Sequence, residues 1–210
     1  MPQPHATMVT RRVLVMERFT GFASTDVAAI EAAGIDTTAM LRAGFLAFLE
    51  GAVVHGVFHG DLHPGNALVL PDGRQGILDY GIVGRLSAVE RRAFAQMMVS
   101  GAVDDVAGQL AAFRDLGALP PDADVDAFAR ELGPGVLPTG LGLPSFADVG
   151  ASMQANIRLM QRHHFRLPKL LVLLSKNLIW AEDAMARFAP DVDLMVEALP
   201  LFAAAAAQPP

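Results

Sequence analysis

The sequence contains no cysteine, which excludes disulfide bonds and thiolate metal sites. Lysine is almost as scarce, with two residues among 210, Lys169 and Lys176. The net charge of −6 comes without a basic stripe, which argues against nucleic acid as a partner. No run of about 18 apolar residues is present, and the N-terminus lacks a signal-peptide pattern. We therefore expect a cytoplasmic protein, either soluble throughout or peripheral to a membrane.

The most informative stretch, residues 58–81, carries polar side chains at a spacing typical of kinases. Asp61 and Asn66 are five residues apart, and Asp79 follows Asn66 by thirteen. The order D-x-x-x-x-N followed by D-x-G is that of a protein-kinase catalytic loop and its metal-binding Asp-Phe-Gly segment. The alternative is an acidic, turn-rich loop whose polar side chains are unrelated, but three positions and two glycines agree with the kinase pattern.

Phosphoryl transfer explains why these residue types recur at this spacing. Magnesium is a hard cation that prefers oxygen ligands, so we predict that Asn66 and Asp79 hold the metal. Asp61, which is not committed to the metal, is the predicted catalytic residue and would accept the proton of an acceptor hydroxyl. The predicted cofactors are ATP and Mg²⁺.

Two short apolar runs between Asn66 and Asp79 predict a β-hairpin. They occupy residues 67–70 and 75–78, and the Pro-Asp-Gly-Arg sequence between them is typical of a turn. The first strand begins after Asn66 and the second ends at Asp79. We therefore expect the hairpin to return both metal ligands to the same end.

Three histidines recur every four residues, at His55, His59 and His63. On a helix this spacing would indicate a metal-binding face, but Gly56, Gly60 and Pro64 interrupt any helix here. We expect His59 to pack or hydrogen-bond beneath the loop.

Two motifs follow one another in this stretch: H-G-D-L-H-P-G-N at residues 59–66 and L-D-Y-G-I-V-G-R-L at residues 78–86. Together they resemble the UbiB/AarF (ADCK-like) family of atypical kinases. That family carries H-x-D-x-H-P-G-N and then D-[FY]-G-x-[VI]-G. Residues 13–17 are similar to its hinge strand, and residues 171–193 to its late helix. Aminoglycoside and choline phosphotransferases share the catalytic loop, and residues 81–86 favour UbiB/AarF.

The resemblance implies further site residues and a biological setting. Backbone groups of the hinge, at Met16, Glu17, Arg18 and Phe19, would meet the adenine of the nucleotide. His63 stands where ordinary protein kinases have a lysine near the transferred phosphate, so it would lie on the phosphate side; an exposed loop histidine is the alternative. The family is tied to ubiquinone-type quinone synthesis near membranes.

The expected fold is mainly α (α+β), a protein-kinase-like C-terminal lobe with a short β-hairpin at the catalytic loop. Residues 13–200 would form this lobe, with the hinge strand, catalytic loop and D-Y-G within 13–86 and a helical subdomain over 87–200. Residues 1–12 are expected to be disordered and residues 201–210 to be a frayed tail. The apolar run 13–16 predicts a strand buried on both faces.

The helices of this lobe follow from apolar periodicity and capping residues. Thr37 or Thr38 is the predicted cap of a helix over residues 39–55. A mobile loop is expected over 133–144 and a helix from Ser145 to about residue 163. In the last major helix, Lys176 is interpreted as a surface residue or an ion-pair partner of Glu182.

Only twelve residues precede Val13, and they contain neither lysine nor glycine. A kinase N-terminal lobe needs a phosphate-covering loop and a strand lysine, so that lobe is expected to be largely absent. Three interpretations remain open. The chain is a truncated UbiB/AarF-type kinase or ATPase, which a separately encoded N-terminal lobe could complete; or a pseudokinase-like module that binds without transferring phosphate; or a fragment of an aminoglycoside/choline-type phosphotransferase.

Overall fold

The computed structural model describes residues 1–132 and 159–208 of the chain. Short strands lie among longer helices, in agreement with the predicted mainly α, kinase-like class. The helices are α1 (Val27–Ala32), α2 (Thr37–Val53), α3 (Ala88–Ala102), α4 (Val106–Asp115), α5 (Val125–Leu132), α6 (Lys169–Phe188) and α7 (Leu194–Ala206). The strands are β1 (Phe22–Ala23), β2 (Val57–His59), β3 (Ala67–Val69), β4 (Gln75–Ile77) and β5 (Val83–Arg85).

The chain divides into two compact units. The first comprises Met1–Ala47, His59–Val83 and Lys176–Val192, and it contains the predicted site residues Asp61, Asn66 and Asp79. The second comprises Phe48–Phe58, Gly84–Ser175 and Asp193–Pro210. The late helix α6 therefore contributes its C-terminal part to the unit that holds the catalytic loop.

The predicted β-hairpin is confirmed in the first unit. Strands β3 and β4 pair antiparallel, and β1 pairs with the other edge of β3. At the turn, Gly73 has a φ of +82°, in the left-handed region that glycine adopts without strain. The Gly73 N–H donates to the Leu70 carbonyl over 2.9 Å, and the Leu70 N–H donates to the Arg74 carbonyl over 2.8 Å. The turn residues therefore close the hairpin as their sequence predicts.

Helix α2 supports this hairpin from the same unit. Its N-terminal cap is Asp36, whose Oδ1 accepts from the Ala39 N–H over 2.9 Å, so the prediction of Thr37 or Thr38 as the cap is wrong. The Thr37 hydroxyl instead donates to the Phe188 carbonyl at the end of α6. Gln75 of β4 donates through Nε2 to the Met40 carbonyl over 3.3 Å, which joins the hairpin to the first turns of α2.

The N-terminal segment is paired over residues 3–5 and 15–17. An antiparallel bridge joins Pro4 and Met16, and the Glu17 N–H donates to the Gln3 carbonyl over 2.8 Å. These hydrogen bonds include residues 3–5 of a segment, residues 1–12, that the sequence predicted to be disordered.

The prediction that residues 13–16 are buried on both faces is wrong. Val13, Leu14 and Met16 are 55%, 61% and 43% exposed. The segment is held along one edge by a single bridge, and no described residues form a layer over its apolar side chains. An apolar run predicts burial only where a second layer is available to cover it.

The second unit is built on helices α3, α4, α5 and α7. Ser87 and Glu90 form the predicted capping box at the start of α3. Phe94 of α3 and Phe202 of α7 are both fully buried, and their rings meet edge to face at 5.8 Å. Residues of α4 and α5, with neighbouring segments, form a further apolar cluster: Leu110, Leu119, Phe128, Leu132 and Leu159.

Helix α7 continues through Pro200 to Ala206, so the predicted frayed tail is wrong for residues 201–206. Burial of Phe202 and Ala205 against the second unit explains this, because tertiary packing stabilises a helix beyond its intrinsic propensity. The predicted loop at 133–144 and the predicted helix from Ser145 as far as residue 158 lie outside the described residues. Among the helices that the structure describes, none is long and apolar enough to cross a membrane.

A core truncation tests the packing of α7. We expect Phe202→Ala to lower the free energy of unfolding by about 3–5 kcal/mol, the usual cost of removing a fully buried phenylalanine. Chemical denaturation followed by circular dichroism measures this change. The control is Val196→Ala on the same helix, where Val196 is 59% exposed and the expected change is small. Equal effects of the two substitutions would contradict the packing described here.

Candidate active site

His59 connects the two segments that carry the predicted metal and catalytic residues. Its Nδ1 accepts from the Asp61 N–H over 3.1 Å, and its Nε2 lies 3.1 Å from the Leu78 carbonyl. A neutral ring with its proton on Nε2 satisfies both partners at once. The prediction that His59 hydrogen-bonds beneath the loop is therefore confirmed, and its ring fixes Asp61 relative to the residue before Asp79.

Asn66 is held at the base of the hairpin by two bonds. Its backbone carbonyl accepts from the Leu78 N–H over 2.8 Å, which extends the β3–β4 pairing by one residue. Its side-chain Nδ2 donates to the Asp61 carbonyl over 3.0 Å. The amide nitrogen is thus committed to the loop, and the side-chain oxygen Oδ1 is the atom that a cation can use. Asn66 and Asp79 stand at the same end of the hairpin, as the sequence predicts.

Asp79 adopts a left-handed backbone conformation, with a φ of +53°. Aspartate visits this region more readily than most residues other than glycine, and such outliers concentrate at functional sites. Its Oδ1 accepts from the Gly81 N–H over 3.1 Å, which steadies the carboxylate. Tyr80 turns its ring onto His59, with ring centroids 5.1 Å apart. The exposed Asp79 carboxylate is therefore presented from a fixed turn.

Asp61 forms an ion pair with Lys176 of α6. The Lys176 Nζ donates to the Asp61 Oδ1, and this bond lowers the pKa of Asp61 below its usual value of 3.8. A carboxylate with a lowered pKa is a weaker base. Phosphoryl transfer depends mainly on positioning and charge, so this favours Asp61 as a group that orients an acceptor hydroxyl.

Asn177, the residue after Lys176, holds the backbone of the catalytic loop. Its Oδ1 accepts from the Leu62 N–H over 2.8 Å, and its Nδ2 donates to the His59 carbonyl. Asn177 is 1% exposed, so this side chain joins α6 to the loop within the core of the first unit. The Ser24 hydroxyl makes a further bond to the loop, donating to the Pro64 carbonyl over 2.8 Å.

His63, predicted on the phosphate side, is partly buried and turned toward its own loop. Its Nδ1 accepts from the Gly65 N–H over 3.0 Å and caps the short 3-10 helix Pro64–Asn66. The cation that contacts Asp61 in the structure is Lys176. The Lys176 side chain is 44% exposed, as its interpretation as a surface residue predicts, but its ion-pair partner is Asp61 and not Glu182.

Residues 15–17 of the predicted hinge present their backbone groups on two opposite edges. Glu17 donates its N–H to Gln3, and neighbouring residues of an extended chain point their N–H and C=O groups the opposite way. Met16 lies between Val15 and Glu17, which both bond to residues 3–5, so its backbone groups face the opposite edge. The Phe19 ring contacts β4 so closely that a Cβ on Gly76 would lie 2.7 Å from it. This contact brings the end of the hinge against the hairpin.

Sequence reasoning missed Lys176 and Asn177 because they lie 115 residues after the loop positions that they contact. The available signal was the scarcity of lysine together with the position of Lys176 in the late-helix pattern. Neither feature shows which part of the chain the helix packs against.

The donor set fits magnesium bound with phosphate. Within residues 1–132 and 159–208, no three His, Cys, Asp or Glu side chains form a cluster able to hold a metal. One carboxylate from Asp79 and one amide oxygen from Asn66 leave the remaining positions to phosphate oxygens and water, which suits an ion that keeps several waters. The arrangement is therefore suited to a metal–nucleotide complex more than to a metal ion alone.

A loop aspartate, an asparagine five residues later and a D-x-G aspartate at the end of a hairpin are arranged as in a kinase-like protein. Comparison with known families agrees: residues 1–111 match the ABC1 atypical kinase-like domain. The chain belongs to this family.

Three curated relatives illustrate the similarity. Uncharacterized protein Rv0647c of Mycobacterium tuberculosis is 33% identical over 203 residues, covering 93% of this chain and 40% of the relative. The chloroplastic protein ACTIVITY OF BC1 COMPLEX KINASE 1 of Arabidopsis thaliana is 31% identical, covering 97% and 30%. Probable protein kinase UbiB of Cronobacter sakazakii is 30% identical, covering 95% and 37%. The chain thus spans two fifths or less of the length of these relatives.

Replacement of Asn177 tests its contact with the loop. We expect Asn177→Leu to destabilise the protein by about 1–3 kcal/mol for each loop group left unsatisfied, because the Leu62 N–H and the His59 carbonyl lose their partner. Denaturation gives the total, and hydrogen exchange of the Leu62 amide reports the site directly. Ile179→Leu, at a position 44% exposed on the same helix, is the control. Unchanged exchange at Leu62 in Asn177→Leu would rule out the contact.

The Lys176 bond also predicts a pH dependence. Because it lowers the folded-state pKa of Asp61 below 3.8, its stabilisation is present above about pH 3.8 and is lost as pH falls through the folded-state value. In Lys176→Met, the Asp61 titration followed by carboxyl NMR should move to higher pH, whereas Lys169→Met should leave it unchanged. An identical Asp61 midpoint in Lys176→Met would show that the ion pair does not form in solution.

Proposed function

We propose that this domain binds ATP with Mg²⁺ and acts on its terminal phosphate, as an atypical kinase or an ATPase. The observation that supports the proposal best is the shared frame of Asp61, Asn66 and Asp79. All three residues belong to one compact unit, in which His59, the hairpin and the Asn66 amide link them by hydrogen bonds. Kinase chemistry needs these three groups together.

The chain's own residues then have distinct roles. Asn66 and Asp79 hold the metal, which neutralises charge on the phosphate oxygens when bound. Asp61 orients the acceptor, either a hydroxyl or water, and takes up its proton as the terminal phosphoryl group leaves ADP. The bond to ADP breaks and a bond to the acceptor oxygen forms, so no further reactant is needed.

The nucleotide's base would lie along the hinge. The backbone groups of Met16 point away from residues 3–5, whereas the Glu17 N–H is bonded to Gln3, so Met16 is the better partner for adenine. The Phe19 ring, placed against β4, connects this edge with the strand that leads to Asp79. His63 supports the loop from the phosphate side through its bond to Gly65.

The acceptor and the biological setting rest on the family. We propose a role linked to ubiquinone-type quinone biosynthesis or its regulation, at or near a membrane surface. Because the chain spans two fifths or less of its relatives' length, activity in the longer proteins could draw on residues from a further lobe, and such a lobe is the proposed protein partner.

A single conservative substitution tests the metal site. Asp79→Asn keeps a residue that tolerates the left-handed conformation but removes the charge, so thermal stability should hold. Magnesium-dependent ATP binding, measured by isothermal titration calorimetry, should weaken by at least about 10-fold. The matched control is Asp72→Asn in the hairpin turn, where the side chain is 53% exposed and should leave ATP binding unchanged.

Two outcomes would contradict the proposal. One is the absence of magnesium-dependent ATP binding by the unmodified chain, and the other is equal affinity in Asp79→Asn. Phosphorylation of an aminoglycoside or of choline by the chain would instead favour the small-molecule phosphotransferase interpretation. Binding without any release of ADP or phosphate would favour a pseudokinase-like module.

A further inference from the structure

Lys176 places a positive charge at the catalytic loop from a distant part of the chain. It is one of two lysines in the sequence, and its Nζ contacts the Asp61 Oδ1. The Lys176 side chain is 44% exposed, so a ligand from solvent can reach this residue. Asp61 itself is 24% exposed at the same point. The pair therefore lies at the surface of the site, where a phosphate could reach it.

The backbone beneath Lys176 is fixed more firmly than its side chain. Asn177 is 1% exposed and bonds to the loop at both Leu62 and His59. Lys176 therefore stands at a set distance from the loop, while its four-carbon stem can redirect the ammonium group. A partly exposed ion pair contributes little to stability, so little is lost when the lysine changes partner.

The site also needs a positive charge at this place. Asp61 and Asp79 already supply two carboxylates, and the phosphates of a nucleotide would add more negative charge. His63, which stands where ordinary protein kinases have a lysine, is occupied with the turn at Gly65. Lys176 contacts the Asp61 carboxylate from α6 and can supply a positive charge to the phosphates.

We propose that Lys176 binds the terminal phosphate of the nucleotide and moves there from Asp61 when ATP enters. This inference rests on the proposed function. Since Asp61 lies beside the acceptor, a cation in contact with it is near the phosphoryl group that is transferred. ADP lacks that phosphate, so Lys176 discriminates ATP from ADP.

Binding of both nucleotides to matched variants tests the inference. With Mg²⁺ present, Lys176→Met should weaken ATP binding by about 10-fold or more, the effect of losing one charge-assisted bond, and ADP binding by much less. Lys176→Arg should restore most of the preference for ATP. Lys169→Met, which removes an exposed lysine at the start of the same helix, should leave both affinities unchanged.

The outcomes separate the two proposals. If the unmodified chain shows no magnesium-dependent ATP binding, both are overturned. If that binding exists and is lost in Asp79→Asn, while Lys176→Met keeps the normal ratio of ATP to ADP affinity, only the role of Lys176 is overturned. An equal loss for both nucleotides has the same consequence, because it assigns Lys176 to general support of the loop.

A measurement on the unmodified chain covers the case in which Lys176→Met fails to fold. Reductive methylation of lysines, read by mass spectrometry of peptides, should be slower at Lys176 with Mg²⁺ and a non-hydrolysable ATP analogue than with Mg²⁺ and ADP. The rate at Lys169 should be the same under both conditions. Equal rates at Lys176 would overturn the inference without any variant.

Discussion

The site depends on one imidazole ring that bonds to two separate segments of backbone. His59 Nδ1 accepts from the Asp61 backbone N–H and Nε2 donates to the Leu78 carbonyl, so one ring links the backbone of the loop to the residue before Asp79. The hairpin joins the same two segments, as does the hydrogen bond that the Gly60 N–H donates to the Ile82 carbonyl over 2.8 Å. A histidine suits the position because one nitrogen accepts while the other donates.

Two other constraints complete the frame, and they act over very different lengths of chain. The hairpin is local: a glycine turn and a few backbone bonds return residue 79 to residue 66. The contact with α6 is long-range, because Asn177 and Lys176 lie 115 residues after Leu62 and Asp61. A long loop costs entropy to close, and the buried amide of Asn177 offsets part of that cost by satisfying two loop groups. The loop is thus held from both sides.

The charge at the site follows from the same contact. The ammonium group of Lys176 balances the negative charge of Asp61. This contact lowers the pKa of the Asp61 carboxyl and so favours its ionised form. This arrangement suits chemistry in which the protein mainly positions groups and balances charge. The left-handed turn at Asp79 serves the same end, since it presents a carboxylate from a backbone that few residues adopt.

Local features of this protein were determined by its sequence. The hairpin, the capping box at α3 and the spacing of Asp61, Asn66 and Asp79 follow from turn residues, capping side chains and apolar periodicity, all of which act within a few residues. The predicted burial of residues 13–16 and the predicted fraying of residues 201–206 failed for one reason. Each depended on whether another layer covers the segment, and no local pattern contains that information.

Only the tertiary structure decided which side chains complete the site. It showed that Lys176 forms an ion pair with Asp61 and that Asn177 hydrogen-bonds to the loop backbone. It also showed that His63 accepts a hydrogen bond from the Gly65 N–H within its own turn. A contact between residues more than a hundred positions apart depends on how the helices pack. That packing is determined by the apolar surface buried throughout the unit. The sequence by itself determines the positions of Asp61, Asn66 and Asp79, because the hairpin that relates them forms from nearby residues. The tertiary structure determines that Lys176 and Asn177 contact the loop, because those residues are distant in the chain.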